Sequence, residues 1–198
     1  MADFTGRVVL VTGAGKGTGR DMAQAFAAHG ANLAINDLTP VNLDQTEAGI
    51  RAAGGQVKAY IVDVTKKMPI QGLVKTVLDD WERIDILVNC AQVKPPASLL
   101  DMDDWDWQRT LDVNLTGVFL LMQSVARIMR AQGGGSMLTI GPHSHADPKQ
   151  AAFTVSKAAL VELSAQARQE FAAYGIQVHL LNPDEATDIV RLALTLCE

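Results

Sequence analysis

The run Thr12-Gly13-Ala14-Gly15-Lys16-Gly17-Thr18-Gly19 follows the apolar stretch Val8-Val9-Leu10-Val11 and opens into apolar positions at Met22, Ala25, Phe26 and His29. Glycines let the backbone turn sharply and come close to a pyrophosphate, and the unpaired N–H groups of a following helix present partial positive charge to it. A dinucleotide is therefore the expected ligand, with Thr12, Gly13, Gly17, Thr18 and Gly19 around its phosphates. A tight strand-to-helix turn without a ligand would use the same glycines; the strand before, the helix after and an acid at the end of the next strand weigh against that alternative. The acid is Asp37, closing Leu33-Ala34-Ile35-Asn36. Its carboxylate suits the adenosine ribose hydroxyls and repels a 2′-phosphate, so NAD is expected over NADP. Lys16 argues the other way, because a cation in the turn could pair with that phosphate.

A second chemical candidate is the loop Gly141-Pro142-His143-Ser144-His145. An imidazole titrates near pH ~6.5, so His143 could give or take a proton there, with Ser144 as the nearest hydroxyl. Solvated loop histidines are the plainer alternative. No cysteine or acid stands at zinc-ligand spacing from His143 and His145, so no metal is expected. Cys90 is expected to pack as a small buried hydrophobe. Trp105 and Trp107, within Asp101-Met102-Asp103-Asp104-Trp105-Asp106-Trp107, read as an acid-rich helix start with an aromatic anchor.

Short β-branched runs alternating with longer helical periods must position these residues. The expected strands are Val8 to Val11, Leu33 to Asn36, Val57 to Val62, Ile84 to Val88, Met137 to Ile140 and Ile176 to Leu181. They are mostly continuous apolar runs, as expected where helices cover both faces of a parallel sheet. Helices are expected over Met22 to His29, Asn42 to Ala53, Ile70 to Trp81, Trp105 to Ala131 and Gln150 to Ala173. The reading is one α/β domain over residues 1–198, a doubly wound parallel sheet of the Rossmann type with strand order 3-2-1-4-5-6.

Composition bounds the setting. The 198 residues are 48% hydrophobic and 20% charged, an ordinary globular balance. Seventeen Lys and Arg against twenty-two Asp and Glu give a net charge of −5, which would not gather a nucleic acid. Two cysteines make no disulfide framework, and the N-terminus lacks a basic region followed by an apolar run, so a cytoplasmic protein is expected. Uninterrupted apolar stretches fall short of the ~20 residues a membrane span needs, so no membrane association is expected.

Taken in order, the motifs resemble those of the classical short-chain dehydrogenase/reductase family. Thr12-Gly13-x-x-x-Gly17-x-Gly19 has that family's spacing, and Asp63-Val64, Asn89-Cys90-Ala91-Gln92, Asn114 within Leu111-Asp112-Val113-Asn114, Ser156-Lys157-Ala158-Ala159-Leu160 and Asn182-Pro183 follow in sequence. The resemblance implies an oxidoreductase acting on an alcohol or carbonyl compound as small-molecule substrate. It places Asp63 and Val64 at the adenine, Asn89 and Ala91 at the central strand and ribose, Lys157 at the nicotinamide ribose and Pro183 at the cofactor. Asn114 would anchor a proton-relaying water. It also implies a homodimer or homotetramer built on the Trp105–Ala131 and Gln150–Ala173 helices, using Phe119, Leu120, Val155, Leu160 and Leu163.

The sequence departs from that family at the reacting end. The tyrosine expected four residues before Lys157 is Phe153, which has no proton to exchange. The expected serine after the fifth strand is displaced to Ser144, and Gln92 stands where a glycine is usual. After Pro183 the chain runs through Asp184-Glu185-Ala186-Thr187-Asp188 into a helical face of Ile189, Leu192 and Ala193. The family's substrate lid and seventh strand are therefore expected to be missing. A protein that holds NAD(H) without turnover, as a regulatory or structural subunit, is the alternative reading.

Overall fold

The computed structural model describes residues 2–142, 148–183 and 188–198. Six parallel strands, β1 (Val8–Thr12), β2 (Asn32–Asp37), β3 (Gln56–Ile61), β4 (Ile86–Asn89), β5 (Gly135–Ile140) and β6 (Ile176–Leu181), lie in the order β3-β2-β1-β4-β5-β6. The expected Rossmann-type order is the one observed. Every residue of β1 and β4 is buried, as their unbroken apolar runs require, whereas the edge strand β3 alternates between buried and exposed positions.

Helices α1 (Gly17–Ala28), α2 (Pro40–Ala52) and α7 (Ile189–Leu196) cover one face, where Val9, Val11, Met22, Phe26, Leu43 and Ala193 share a core. Helices α3 (Lys67–Trp81), α5 (Gly117–Gln132) and α6 (Ala151–Phe171) cover the other, over Val8, Leu10, Ile70, Leu121 and Leu160. Neighbouring residues of β1 thus serve opposite cores, and each fully buried aliphatic or aromatic side chain contributes about 1.5–3 kcal/mol.

The first three helices begin two to five residues earlier than the sequence reading places them, and two further elements differ from it in kind. Ile84 lies outside β4 because the side chain of Gln132 takes both of its backbone groups, accepting its N–H at 3.1 Å and donating to its carbonyl at 3.0 Å. The helix expected over Trp105 to Ala131 is α4 (Asp104–Leu111), a π turn (Asp112–Thr116) and α5 in continuous succession. Within the π turn the Gly117 N–H bonds back to the Asp112 carbonyl, five residues earlier, and Val113 and Asn114 are buried. Gly117 must be small, since a Cβ there would lie 2.6 Å from the Val64 carbonyl oxygen. The whole run Asp104–Gln132 is long and apolar enough to cross a bilayer, but seven residues of α5 are buried and that helix packs on β4, β5 and α3, as a core helix does.

The surface of α5 and α6 is partly as expected. Phe119 and Val155 are exposed, at 43% and 48%. Leu160 is wholly buried, and Leu120 and Leu163 pack against the core, because they face the sheet across the helix stripe. Trp105 is exposed and does not anchor α4 in the core; the Arg109 guanidinium lies 5.4 Å over its ring. The acid-rich start of α4 is a helix cap, the Asp103 side chain accepting the Asp106 N–H at 2.7 Å.

Candidate functional site

Chain order reverses between β1 and β4, so the loops leaving these two strands part and open a cleft of about 460 Å³ at their carboxyl ends. Gly13, Lys16, Gly17, Thr18 and Gly19 form one wall of it. Gly13 has φ +66°, and a Cβ there would lie 2.6 Å from backbone atoms of Ala91, so the two loops approach as closely as the lack of a side chain permits. At Gly17, with φ +52°, a Cβ would meet nothing within 4 Å, leaving the first turn of α1 open to the cleft. A phosphate would meet unpaired N–H groups there.

Asp37 closes the turn from the adjacent strand. One carboxylate oxygen accepts the Gly15 N–H at 2.9 Å, and the other accepts the Thr39 N–H at 3.0 Å. Each oxygen retains a lone pair for a further donor. Beyond it the Asn36 carboxamide donates to the carbonyls of Tyr60 at 2.9 Å and Val62 at 3.0 Å, fixing the exit of β3. That places Asp63 and Val64 on the cleft wall, where Asp63 accepts the Thr65 N–H at 2.9 Å and so shapes a turn rather than capping α3.

The opposite wall comes from Cys90, Ala91, Gln92 and Val93 after β4. The Asn114 side chain holds this segment, accepting the Val93 N–H at 2.8 Å and donating to the Val93 carbonyl at 3.0 Å. Its second amide hydrogen goes to Ser156 Oγ at 3.1 Å, and Ser156 donates in turn to the Phe153 carbonyl at 2.7 Å. The carboxamide of Asn114 is therefore engaged in joining the β4 loop to α6.

Lys157 is 4% exposed and donates to the Ile140 carbonyl at 2.7 Å. Burial lowers its pKa to about 8, with the neighbouring Cys90 opposing the shift. Burial likewise pushes the Cys90 thiol up to about 12, so it stays protonated and unreactive at neutral pH. Phe153, one helical turn before Lys157, is buried with its ring centroid 5.5 Å from Lys157 Nζ and 5.1 Å from Lys94 Nζ.

The residues singled out in the sequence thus fall into three groups. Gly13, Gly17, Thr18, Gly19, Asp37, Asp63, Val64 and Ala91 line the cleft. Thr12 and Asn89 lie behind its wall: Thr12 is wholly buried, and Asn89 donates to Thr139 Oγ1 at 3.3 Å while its own buried oxygen has no hydrogen-bond partner among the described residues. Asn114, Lys157 and Phe153 gather where α6 meets the β4 loop, and Pro183 follows β6 in a turn. His143, Ser144 and His145 lie outside the described residues. Leu38, Val62, Val93, Arg109 and Val113 also line the cleft and were not singled out. Arg109 and Val113, one helical turn apart and just before Asn114, carried a spacing signal that could have found them. Among the described residues no group of three His, Cys, Asp or Glu is arranged to hold a metal.

The profile of the family described as short chain dehydrogenase matches residues 7–190. The chain belongs to the short-chain dehydrogenase family. It is 35% identical over 195 residues to a 3-oxoacyl-[acyl-carrier-protein] reductase of Synechocystis sp., covering 96% of this chain and 79% of that protein. Among solved structures it superposes with TM-score 0.87 and 33% identity on an NAD+-bound xylitol dehydrogenase, over 91% of this chain and 70% of the other. A metagenomic short-chain oxidoreductase in complex with NADP superposes with TM-score 0.92 and 28% identity, over 98% and 91%. As a short-chain dehydrogenase the protein is classed with oxidoreductases that use nicotinamide cofactors, and Phe153 is the feature that needs a functional account.

Proposed function

We propose that this short-chain dehydrogenase binds NAD(H) in the cleft and is an oxidoreductase for an alcohol or carbonyl compound. The observation that carries the cofactor preference is Asp37, whose carboxylate is pinned by Gly15 and Thr39 at the cleft wall with acceptor capacity left for ribose hydroxyls. A 2′-phosphate placed there would face that carboxylate at short range. The glycine cradle fits a dinucleotide, because side chains at Gly13 and Gly19 would collide with backbone that forms the cleft.

When bound, the nicotinamide supplies hydride exchange with carbon. The chain's own part is to hold and to move a proton. Lys157, anchored on the Ile140 carbonyl, is placed to bind the nicotinamide ribose hydroxyls, and Asn114 keeps the Val93 wall in place. Phe153 cannot exchange a proton, so in an active enzyme that proton passes through His143, Ser144 or water. The same residue favours a second reading, an NAD(H)-binding subunit without turnover. We assign the protein to the cytoplasm and to a homodimer or homotetramer through α5 and α6, supported by the exposed Phe119 and Val155.

Calorimetric titration with NADH and NADPH tests the cofactor assignment. Tighter NADH binding, lost in Gly13→Ala, supports it; tighter NADPH binding rejects the Asp37 argument, and binding of neither rejects the function. Assays with ketones and secondary alcohols then separate the two readings: turnover means an enzyme with an unusual proton donor, and silence with NADH bound means a binding subunit.

A further inference from the structure

Two ammonium groups share the ring of Phe153. Lys94 Nζ lies 5.1 Å from the ring centroid and Lys157 Nζ 5.5 Å from it, and neither takes part in any ion pair among the described residues. Their situations differ. Lys157 is buried and committed to the Ile140 carbonyl, whereas Lys94 is exposed and has the ring as its contact. An exposed cation over an aromatic face gains little, and a second cation at the same ring works against it. An anion would be a better partner for Lys94 than the ring is.

The backbone gives this cation a defined place. Val93, the residue before it, has both its N–H and its carbonyl held by Asn114, and Val93 itself lines the cleft. Lys94 therefore stands at the border of the cleft, next to the position where the family's usual tyrosine is replaced by phenylalanine. The carboxylates of the cleft, Asp37 at the end of β2 and Asp63 in the loop after β3, accept backbone N–H groups there. In a chain with a net charge of −5, a cation without a carboxylate partner among the described residues is a local feature.

We propose that Lys94 recognises an anionic group on the substrate, so that the site takes a small ketone or alcohol carrying a carboxylate or a phosphate. This rests on the cleft being the cofactor site, which puts the reacting carbon beside Phe153. The ammonium of Lys94 would hold the anionic group at the mouth while the carbonyl or hydroxyl end points inward.

Saturation-transfer NMR titrations of acetoacetate, dihydroxyacetone phosphate and the neutral 2-pentanone, each with and without NADH, test this. The expected result is that at least one of the two anions binds at least about tenfold more tightly than 2-pentanone, and which one does so distinguishes carboxylate from phosphate. Lys94→Met is expected to weaken that anion five- to tenfold with the thermal midpoint unmoved, and Lys94→Arg to restore it. Anions that bind no better than 2-pentanone with or without NADH, or an affinity indifferent to Lys94→Met, overturn the proposal. Absence of NADH binding in the same samples would reject the cofactor assignment, while the anion preference is read separately in the cofactor-free titrations.

Discussion

The carboxamide of Asn114 holds both backbone polar groups of Val93, accepting the N–H at 2.8 Å and donating to the carbonyl at 3.0 Å. It can do so because the π turn over Asp112–Thr116 carries Asn114 into the interior, where it is 1% exposed. A residue that the family resemblance assigns to a proton relay here joins the β4 loop to α6.

Asn114→Ala would leave the N–H and carbonyl of Val93 without partners and take from Ser156 Oγ the donor it accepts, though not its bond to the Phe153 carbonyl. Each lost internal hydrogen bond is worth about 1 kcal/mol and an unsatisfied buried group more, so a loss of about 2–4 kcal/mol in unfolding free energy is expected. Urea denaturation measures it. A loss below about 1 kcal/mol would show that the clamp contributes little to stability.

Asp37→Asn retains a carbonyl oxygen for one of the two backbone N–H groups and removes the charge. The ratio of NADPH to NADH dissociation constants should fall by about tenfold or more, corresponding to roughly 1.4 kcal/mol of relieved repulsion. Competitive fluorescence titration decides, and an unchanged ratio would assign cofactor choice to Lys16 or Arg109.

Phe153→Tyr places a phenol one helical turn before Lys157, whose ammonium favours the phenolate. If the missing hydroxyl is the main defect, carbonyl reduction with NADH should rise by about 10²–10⁴-fold. A tyrosine variant that binds NADH and stays silent would point to the substrate pocket instead.

The pH dependence of stability follows from the buried groups. Lys157 releases its proton near pH 8 in the folded protein, whereas the unfolded chain keeps it to about pH 10.5. Folding is therefore penalised below pH 8, and the penalty is relieved as the pH rises from there. Cys90 and Cys197 act oppositely, because their thiols, raised from 9.0 to about 12 by burial, stay protonated after the unfolded chain has ionised. Between pH 8 and 9 the relief at Lys157, about 1 kcal/mol, is largely offset by ionisation of the two thiols in the unfolded chain, so stability should rise by only roughly 0.3 kcal/mol and fall above pH 9. Denaturation at stepped pH tests it, and Lys157→Met should abolish the rise while leaving the fall.

Phe119→Glu on α5 should dissociate the proposed oligomer, since a carboxylate cannot be buried unpaired in an apolar interface. Sedimentation at micromolar concentration should show the wild type as a dimer or larger and the variant as a monomer. A monomeric wild type would reject the interface.

Strand order and the glycine-lined cleft were legible because both are written in local signals. The continuous apolar run Val8–Val11, rich in β-branched residues and ended by a glycine turn, reads as a buried strand, and the turn between it and the next helix lines the cleft. That residue 153 is a phenylalanine one helical turn before Lys157 needed no coordinates either, being fixed by its distance from Lys157 along one helix. What the chain could not disclose are relationships between segments far apart in number. Gln132 removes Ile84 from its strand, the π turn redirects Asn114 onto Val93, and Lys94 in the loop after β4 meets Phe153 on α6. Periodicity records which face a residue turns to the core, but not which polar group 21, 48 or 59 residues away will satisfy it. Those pairings exist only once the sheet has brought the ends of its strands together, and they decide what surrounds the reacting end of the cleft.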